Sequence, residues 1–114
     1  MRFDGDRLQD ILEAIARMDR HAVRERDGFD RDEMVQTWYL HHLLIIGEAA
    51  SGLSSDLRRK HTEVPWAEII AMRNVLVHEY FGVDTGEVWR AVQDDLPDLK
   101  KKIEAIIEQQ GGEA

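Results

Sequence analysis

The apolar residues of this chain recur at helical spacing almost from end to end, and no segment alternates in the two-residue period of a half-buried strand. That regularity confines the fold to helices packed on helices, so the expectation is an all-α, antiparallel bundle of four or five helices with short loops. The first helix reads as opening at Asp6, with Gln9 three residues on as a capping box and Leu8, Ile11, Leu12, Ile15 and Met18 as its inward stripe. Around "RDGFD" the pattern breaks into a short connection. Asp30 followed by Glu33 then repeats the capping signature ahead of a second helix that runs to about Ser51 and stops at Gly52.

Within that second helix, "WYLHHLLIIGEAA" is apolar nearly all the way round, which calls for cover on several sides, either at the centre of the bundle or in a dimer interface. Gly47 would let another helix approach closely. A short turn or helix follows through "SSDLRRKH", and "TEVPW" reads as an opening signal, since proline suits a first helical turn and holds Val64 extended. The third long helix is expected from near Pro65 to Phe81, ended by Gly82. Asp84 with Glu87 caps a segment carrying Val88, Trp89 and Val92, and Pro97 marks a kink or a fresh start. Leu99, Ile103, Ile106 and Ile107 supply a closing helix that frays from about residue 109.

A length of 114 residues with 43% hydrophobic content suits one domain, residues 1–114, and is short for two. Cysteine is absent, which excludes disulfides, thiolate metal sites and a cysteine nucleophile. With no apolar stretch of membrane-spanning length and no signal-peptide core in "MRFDGDRLQD", the expectation is a soluble, cytoplasmic protein without a membrane partner. The net charge of -8 argues against gripping nucleic acid through the whole surface, because that depends on many phosphate contacts. The basic runs Arg58 to His61 and Lys100 to Lys102 read as solvated helix ends or faces.

Three polar groups interrupt the helix-forming run "MRNVLVHEY", Met72 to Tyr80: Arg73, His78 and Tyr80. At about 100° per residue, with Arg73 at zero, Ile69 lies near -40°, Tyr80 near -20°, Val77 near +40° and Ile70 near +60°. Arg73 thus falls within the apolar stripe, where a guanidinium is costly unless paired or placed at a wet cleft. Asn74 and His78, four apart, line the edge of the same face. A purely structural role remains open on this ground alone, with Arg73 paired to a carboxylate such as Glu48 and the others bonded at the core boundary. A metal site has little support: "HEY" is not H-E-x-x-H, adjacent His41 and His42 diverge on a helix, and His21 and His61 lack partners at ligand spacing.

The stretch "MRNVLVHEYFGVD" contains R-x-x-x-x-H-x-Y, and with "IIGEAA", "VPWAEI" and "LPDLKKKIE" it resembles HepT-type proteins of the HEPN superfamily, from about Asp6 to Ile107. The resemblance implies an all-helical ribonuclease toxin that works as a homodimer on RNA, with no cofactor and no role for DNA. It also implies an antitoxin partner, a minimal nucleotidyltransferase of the MntA type. Carried over by position, Arg73 and His78 match the catalytic pair, Asn74 the polar residue after the arginine, and Tyr80 the tyrosine that the antitoxin modifies with AMP. Glu48 and His41 of the second helix are candidate supports behind the site.

Metal-free attack of a 2′-hydroxyl on the adjacent phosphate needs a base, an acid and a cation for the charge developing on the phosphoryl oxygens. An imidazole exchanges protons near neutral pH and a guanidinium fork fits a phosphate, so His78 suits the acid/base role and Arg73 the clamp. One histidine cannot comfortably serve both sides of the scissile phosphate, which makes a two-fold dimer with two His78 in one cleft a mechanistic expectation. AMP on Tyr80 would bring an anion that competes for Arg73. The rival reading is a non-catalytic helical module that binds a nucleotidyltransferase or a nucleotide.

Overall fold

The computed structural model describes residues 3–21, 25–79 and 82–112, and among these the backbone is helical with no strand. The elements are α1 (Asp4–Arg20), α2 (Arg26–Asp30), α3 (Glu33–Gly52), α4 (Ser55–Lys60), α5 (Trp66–His78), α6 (Thr85–Arg90) and α7 (Leu96–Gly112). A π turn, Ala91–Asp95, joins α6 to α7. The all-α bundle expected from the apolar period is what the chain adopts. Among the described residues no helix is long and apolar enough to cross a membrane.

α3 is central and touches α1, α2, α5 and α6. This explains a sequence apolar on every side: Tyr39, Leu40, Leu43, Ile46, Ala49 and Ala50 are all buried. α1 lays Leu8, Ile11, Ala14, Ile15 and Met18 onto the core, and α7 adds Ile103 and Ile106. Each such fully buried aliphatic side chain contributes about 1.5–3 kcal/mol relative to exposure.

Several boundaries differ from the local signals. α1 starts at Asp4, not Asp6, and Asp6 instead turns its carboxylate back to accept the Phe3 N–H at 3.2 Å. Asp4 accepts the Ser54 N–H at 2.9 Å and hydroxyl at 2.6 Å, tying the start of α1 to the turn after α3. The stretch "RDGFD", expected to be a connection, is the helix α2. It is too short to show a period, and it forms because Phe29 is fully buried, stacked on Tyr39 at 5.5 Å and tilted against Trp89 at 5.4 Å. With Asp30 inside α2, the N-cap of α3 passes to Asp32, whose Oδ1 accepts from Met34 N at 3.0 Å and Val35 N at 3.2 Å.

α4 is capped by the Ser54 hydroxyl, which accepts from Leu57 N. The segment before α5 is anchored by Trp66, whose Nε1–H donates to the His61 carbonyl at 2.9 Å in the core. α5 ends at His78 rather than running to Phe81, and Tyr80 and Phe81 lie outside the described residues. Asp84 caps α6 as expected, accepting from Gly86 N at 2.8 Å. Pro97 stands in the first turn of α7, the fresh start expected of it. The π turn widens the coil one turn earlier, Leu96 N–H reaching the Ala91 carbonyl, and this removes the clash that the proline ring would make four residues back. α7 then continues past residue 109 to Gly112.

Candidate active site

The α3–α5 contact is set by the absence of a side chain. A Cβ built on Gly47 would meet Arg73 Cβ at clashing distance, Arg73 Cγ at 2.9 Å and Arg73 Cα at 3.2 Å, so only glycine lets the two backbones come this close. The residue that Gly47 admits is Arg73 itself. Its stem lies across α3, and its head reaches the next residue of that helix: Nε donates to Glu48 Oε1 at 2.8 Å. Nη1 donates to Asn74 Oδ1 at 2.9 Å. Of the five guanidinium N–H groups these bonds engage two, leaving the fork able to meet an anion.

Arg73 is 30% exposed and Glu48 52%, so the pair is screened by solvent and contributes at most about 1 kcal/mol to stability. Orientation is its stronger effect, since two fixed bonds hold a long side chain that would otherwise sample many rotamers. The wheel puts Arg73 in the middle of an inward stripe, and in the structure its stem packs onto α3 at Gly47, between the directions of buried Trp66 and Leu76. On α5 the buried residues are Trp66 and Leu76, while Val75 and Val77 are 47% and 48% exposed. α5 is packed from one side, so its apolar belt is wider than its buried face. Arg73 faces α3 with its stem, and its guanidinium ends on partly exposed ground at Glu48.

His78 is the last residue of α5 and is exposed, as is Asn74 one turn before it on the same edge. In an unbroken helix, five residues separate Arg73 from His78 by about 7.5 Å along the axis and about 140° around it. Within one chain the imidazole and the guanidinium therefore look to different sides of α5. His41 is exposed on α3, seven residues or about 10.5 Å before Glu48 and on nearly the same face. The basic runs behave as solvated helix residues: Arg59, Lys60, Lys100 and Lys101 are exposed, and Lys102 pairs with Asp98 at 2.8 Å. His61 departs from that pattern, being buried with Nδ1 3.1 Å from Glu63 Oε1.

No sequence pattern singles out His42, which is 1% exposed beside exposed His41. Its Nδ1–H donates to the Trp38 carbonyl at 2.8 Å, and its ring lies 4.2 Å from the Trp38 ring. Burial pushes its pKa below the usual histidine value; the Trp38 carbonyl partly opposes this, while His41 and Arg17 add to it. Among the described residues no group of three His, Asp or Glu side chains is placed to hold a metal ion.

A bundle that presents a clamped arginine, an asparagine and an exposed histidine along one helix defines a class: small all-α proteins with polar candidate residues carried by a single helix. Residues 11–106 match the HepT-like ribonuclease family, and this chain belongs to it. It is 41% identical over 103 residues to a protein of Thermococcus cleftensis named "Probable ribonuclease HepT", covering 89% of this chain and 93% of that one. A protein of Caldanaerobacter subterraneus subsp. tengcongensis named as a candidate RNase is 37% identical over 84 residues, 74% of this chain and 75% of its own. Another protein so named, from Methanocaldococcus jannaschii, is 38% identical over 78 residues, 68% of this chain and 72% of its own. No solved structure matches this chain.

Proposed function

We propose that this chain, acting as one helical domain over residues 1–114, is a metal-independent endoribonuclease toxin of a type VII-like toxin-antitoxin system in the cytoplasm. The observation that carries the reading is Arg73, held by Glu48 and Asn74 with donors to spare on the same helix as exposed His78. Membership of the HepT-like ribonuclease family and the names of its relatives support RNA as the substrate.

The cleft is completed by a second copy of the chain. Val75 and Val77 leave exposed apolar groups on two sides of α5, and a two-fold partner packed along this helix would cover part of that surface while bringing in a second Arg73 and a second His78. One His78 takes the proton of the 2′-hydroxyl as its oxygen attacks phosphorus. The other copy's His78 delivers a proton to the departing 5′-oxygen, leaving a 2′,3′-cyclic phosphate. Arg73 neutralises the charge gathering on the non-bridging oxygens, and Asn74 holds its fork in place. The doubled cations also offset an acidic surface for an anionic substrate. Tyr80, two residues past His78, is the site at which an MntA-like nucleotidyltransferase antitoxin attaches AMP, whose phosphate then occupies Arg73.

The test compares purified wild type with His78→Ala and Arg73→Ala on a panel of RNAs, alongside sedimentation of each. Cleavage by the wild-type dimer alone, with both variants dimeric and silent, is the expected result. Equal inactivity of all three with intact binding to the nucleotidyltransferase would leave the non-catalytic module as the better reading. Incubation with ATP and the antitoxin should add one adenylyl group to wild type and none to Tyr80→Phe, and full silencing of that variant without tight binding would remove the covalent off-switch.

A further inference from the structure

On the flank of α5 away from Asn74 and His78 lies an open groove of about 590 Å³, walled by α3, α5, the π turn and α7. Its floor is apolar, built from Leu43, Ile46, Ile69, Met72, Leu96 and Leu99. Its rim carries four exposed carboxylates, Glu68, Asp94, Asp95 and Asp98, against one cation, Arg90. The lining charge is therefore -3, and the two partners outside the groove, Lys102 on Asp98 and Glu87 on Arg90, cancel and leave it unchanged.

Arg90 adds little positive field. It lies 3.2 Å from Glu87 and 3.3 Å from Asp95, and these carboxylates hold its pKa above the usual arginine value, Glu87 foremost. All these pairs are exposed, so they exchange readily for an incoming cation. The charge of the rim disfavours phosphate, which sets the groove apart from the RNA site although Ile69 lies near Arg73 on α5, and Ile69 and Met72 sit about 120° or more around the helix from Asn74 and His78. The stretch Arg90 to Leu99 spans nine residue steps, about 13 Å, or roughly two and a half turns of a helix laid alongside. The π turn places Asp94 and Asp95 in the lining together, a geometry often found where helices serve a function.

We propose that this groove docks a protein partner through a cationic amphipathic helix of two to three turns, its apolar face on the leucine, isoleucine and methionine floor and its lysines or arginines against the acidic rim. The inference is independent of the ribonuclease reading and holds equally for a catalytically silent His78→Ala chain.

The probes are two fluorescein-labelled amphipathic peptides of sixteen residues or so, one of leucine and lysine, the other of leucine and glutamate, titrated into the full chain by anisotropy. The lysine peptide should bind with an affinity that falls as salt rises, and the glutamate peptide should not. The double variant Glu68→Lys, Asp94→Lys should weaken the lysine peptide at least about tenfold, as two rim contacts are reversed, while Glu104→Lys with Glu108→Lys on the exposed face of α7 should change it less than about twofold. Backbone amide shifts of the wild type on adding peptide, a readout that needs no variant, should gather on residues 68–72 and 90–99. Equal loss in both double variants, equal binding of the glutamate peptide, or shifts centred on residues 73–78 would overturn the proposal. Displacement of the peptide by oligoadenylate would make the groove the RNA site, and a halved sedimentation mass on peptide binding would make it the self-association face. Either result overturns it too.

Discussion

Gly47→Ala isolates the contact on which the site is built. The added methyl would lie 2.9 Å from Arg73 Cγ and 3.2 Å from Arg73 Cα, against an ordinary carbon–carbon contact of about 3.5–4.0 Å. The clashing atoms, Arg73 Cβ the nearest, are the backbone and the root of a side chain, so they cannot swing away, and α5 must retreat from α3 by roughly 1 Å. Overpacking of this kind costs about 1–3 kcal/mol, while replacing glycine by alanine inside a helix returns about 1 kcal/mol. The net loss is about 0–2 kcal/mol, a fall in Tm of up to roughly 8 °C for a chain of this size. Activity should suffer more than stability. A guanidinium displaced by that amount costs about tenfold to a hundredfold in kcat, because positioning errors near 1 Å reach a hundredfold. Thermal melts followed by circular dichroism and a fluorogenic RNA cleavage assay read the two quantities separately. Gly52→Ala is the control, since its new methyl meets only the far end of the flexible Arg7 side chain. If Gly47→Ala keeps both its Tm and its activity, the close-packing argument fails. A lower Tm with full activity would keep the packing and refute the positioning of Arg73.

Three further outcomes follow from the geometry. His42 has a folded pKa below its ordinary value, so the unfolded chain takes up a proton first; stability is fully present above about pH 6.5 and lost as pH falls through the acid side of neutrality, a slope that Tm measured against pH should show and His42→Leu should flatten. Phe29→Ala empties a fully buried site between Tyr39 and Trp89 and should cost about 3–5 kcal/mol by urea unfolding, enough to unfold much of the population at 37 °C. Glu48→Ala should lower stability by less than about 1 kcal/mol, because its ion pair is screened, yet reduce cleavage and weaken RNA binding as Arg73 loses its fixed orientation.

Local chemistry revealed more about the helices than about their neighbours. The cap at Asp84, the stop at Gly52 and the opening at Pro65 are each decided within a few residues, and all three stand in the structure. Asp30 and Asp32 both had the chemistry of a cap, and the choice fell to Asp32 only because Phe29 is drawn into the core and makes Asp30 the end of α2. The same limit applies at the site. The R-x-x-x-x-H spacing picked out Arg73, Asn74 and His78, and Glu48 was foreseen as a partner for Arg73. The wheel, however, treats every apolar residue as inward, and it could not tell the buried Leu76 from the exposed Val77 beside it.

By itself the sequence determined that the chain is helical, where most of its helices start and stop, that a glycine stands where two helices would cross, and which helix carries the arginine and histidine. These are set by backbone propensity, capping and spacing along one chain, which act over a few residues. Tertiary structure alone decided that Gly47 sits against Arg73, that His42 is buried while His41 is not, that Val75 and Val77 of α5 are left exposed, and that a π turn precedes Pro97. Burial depends on what arrives from elsewhere in the chain, and a one-dimensional pattern carries no record of which neighbour arrives.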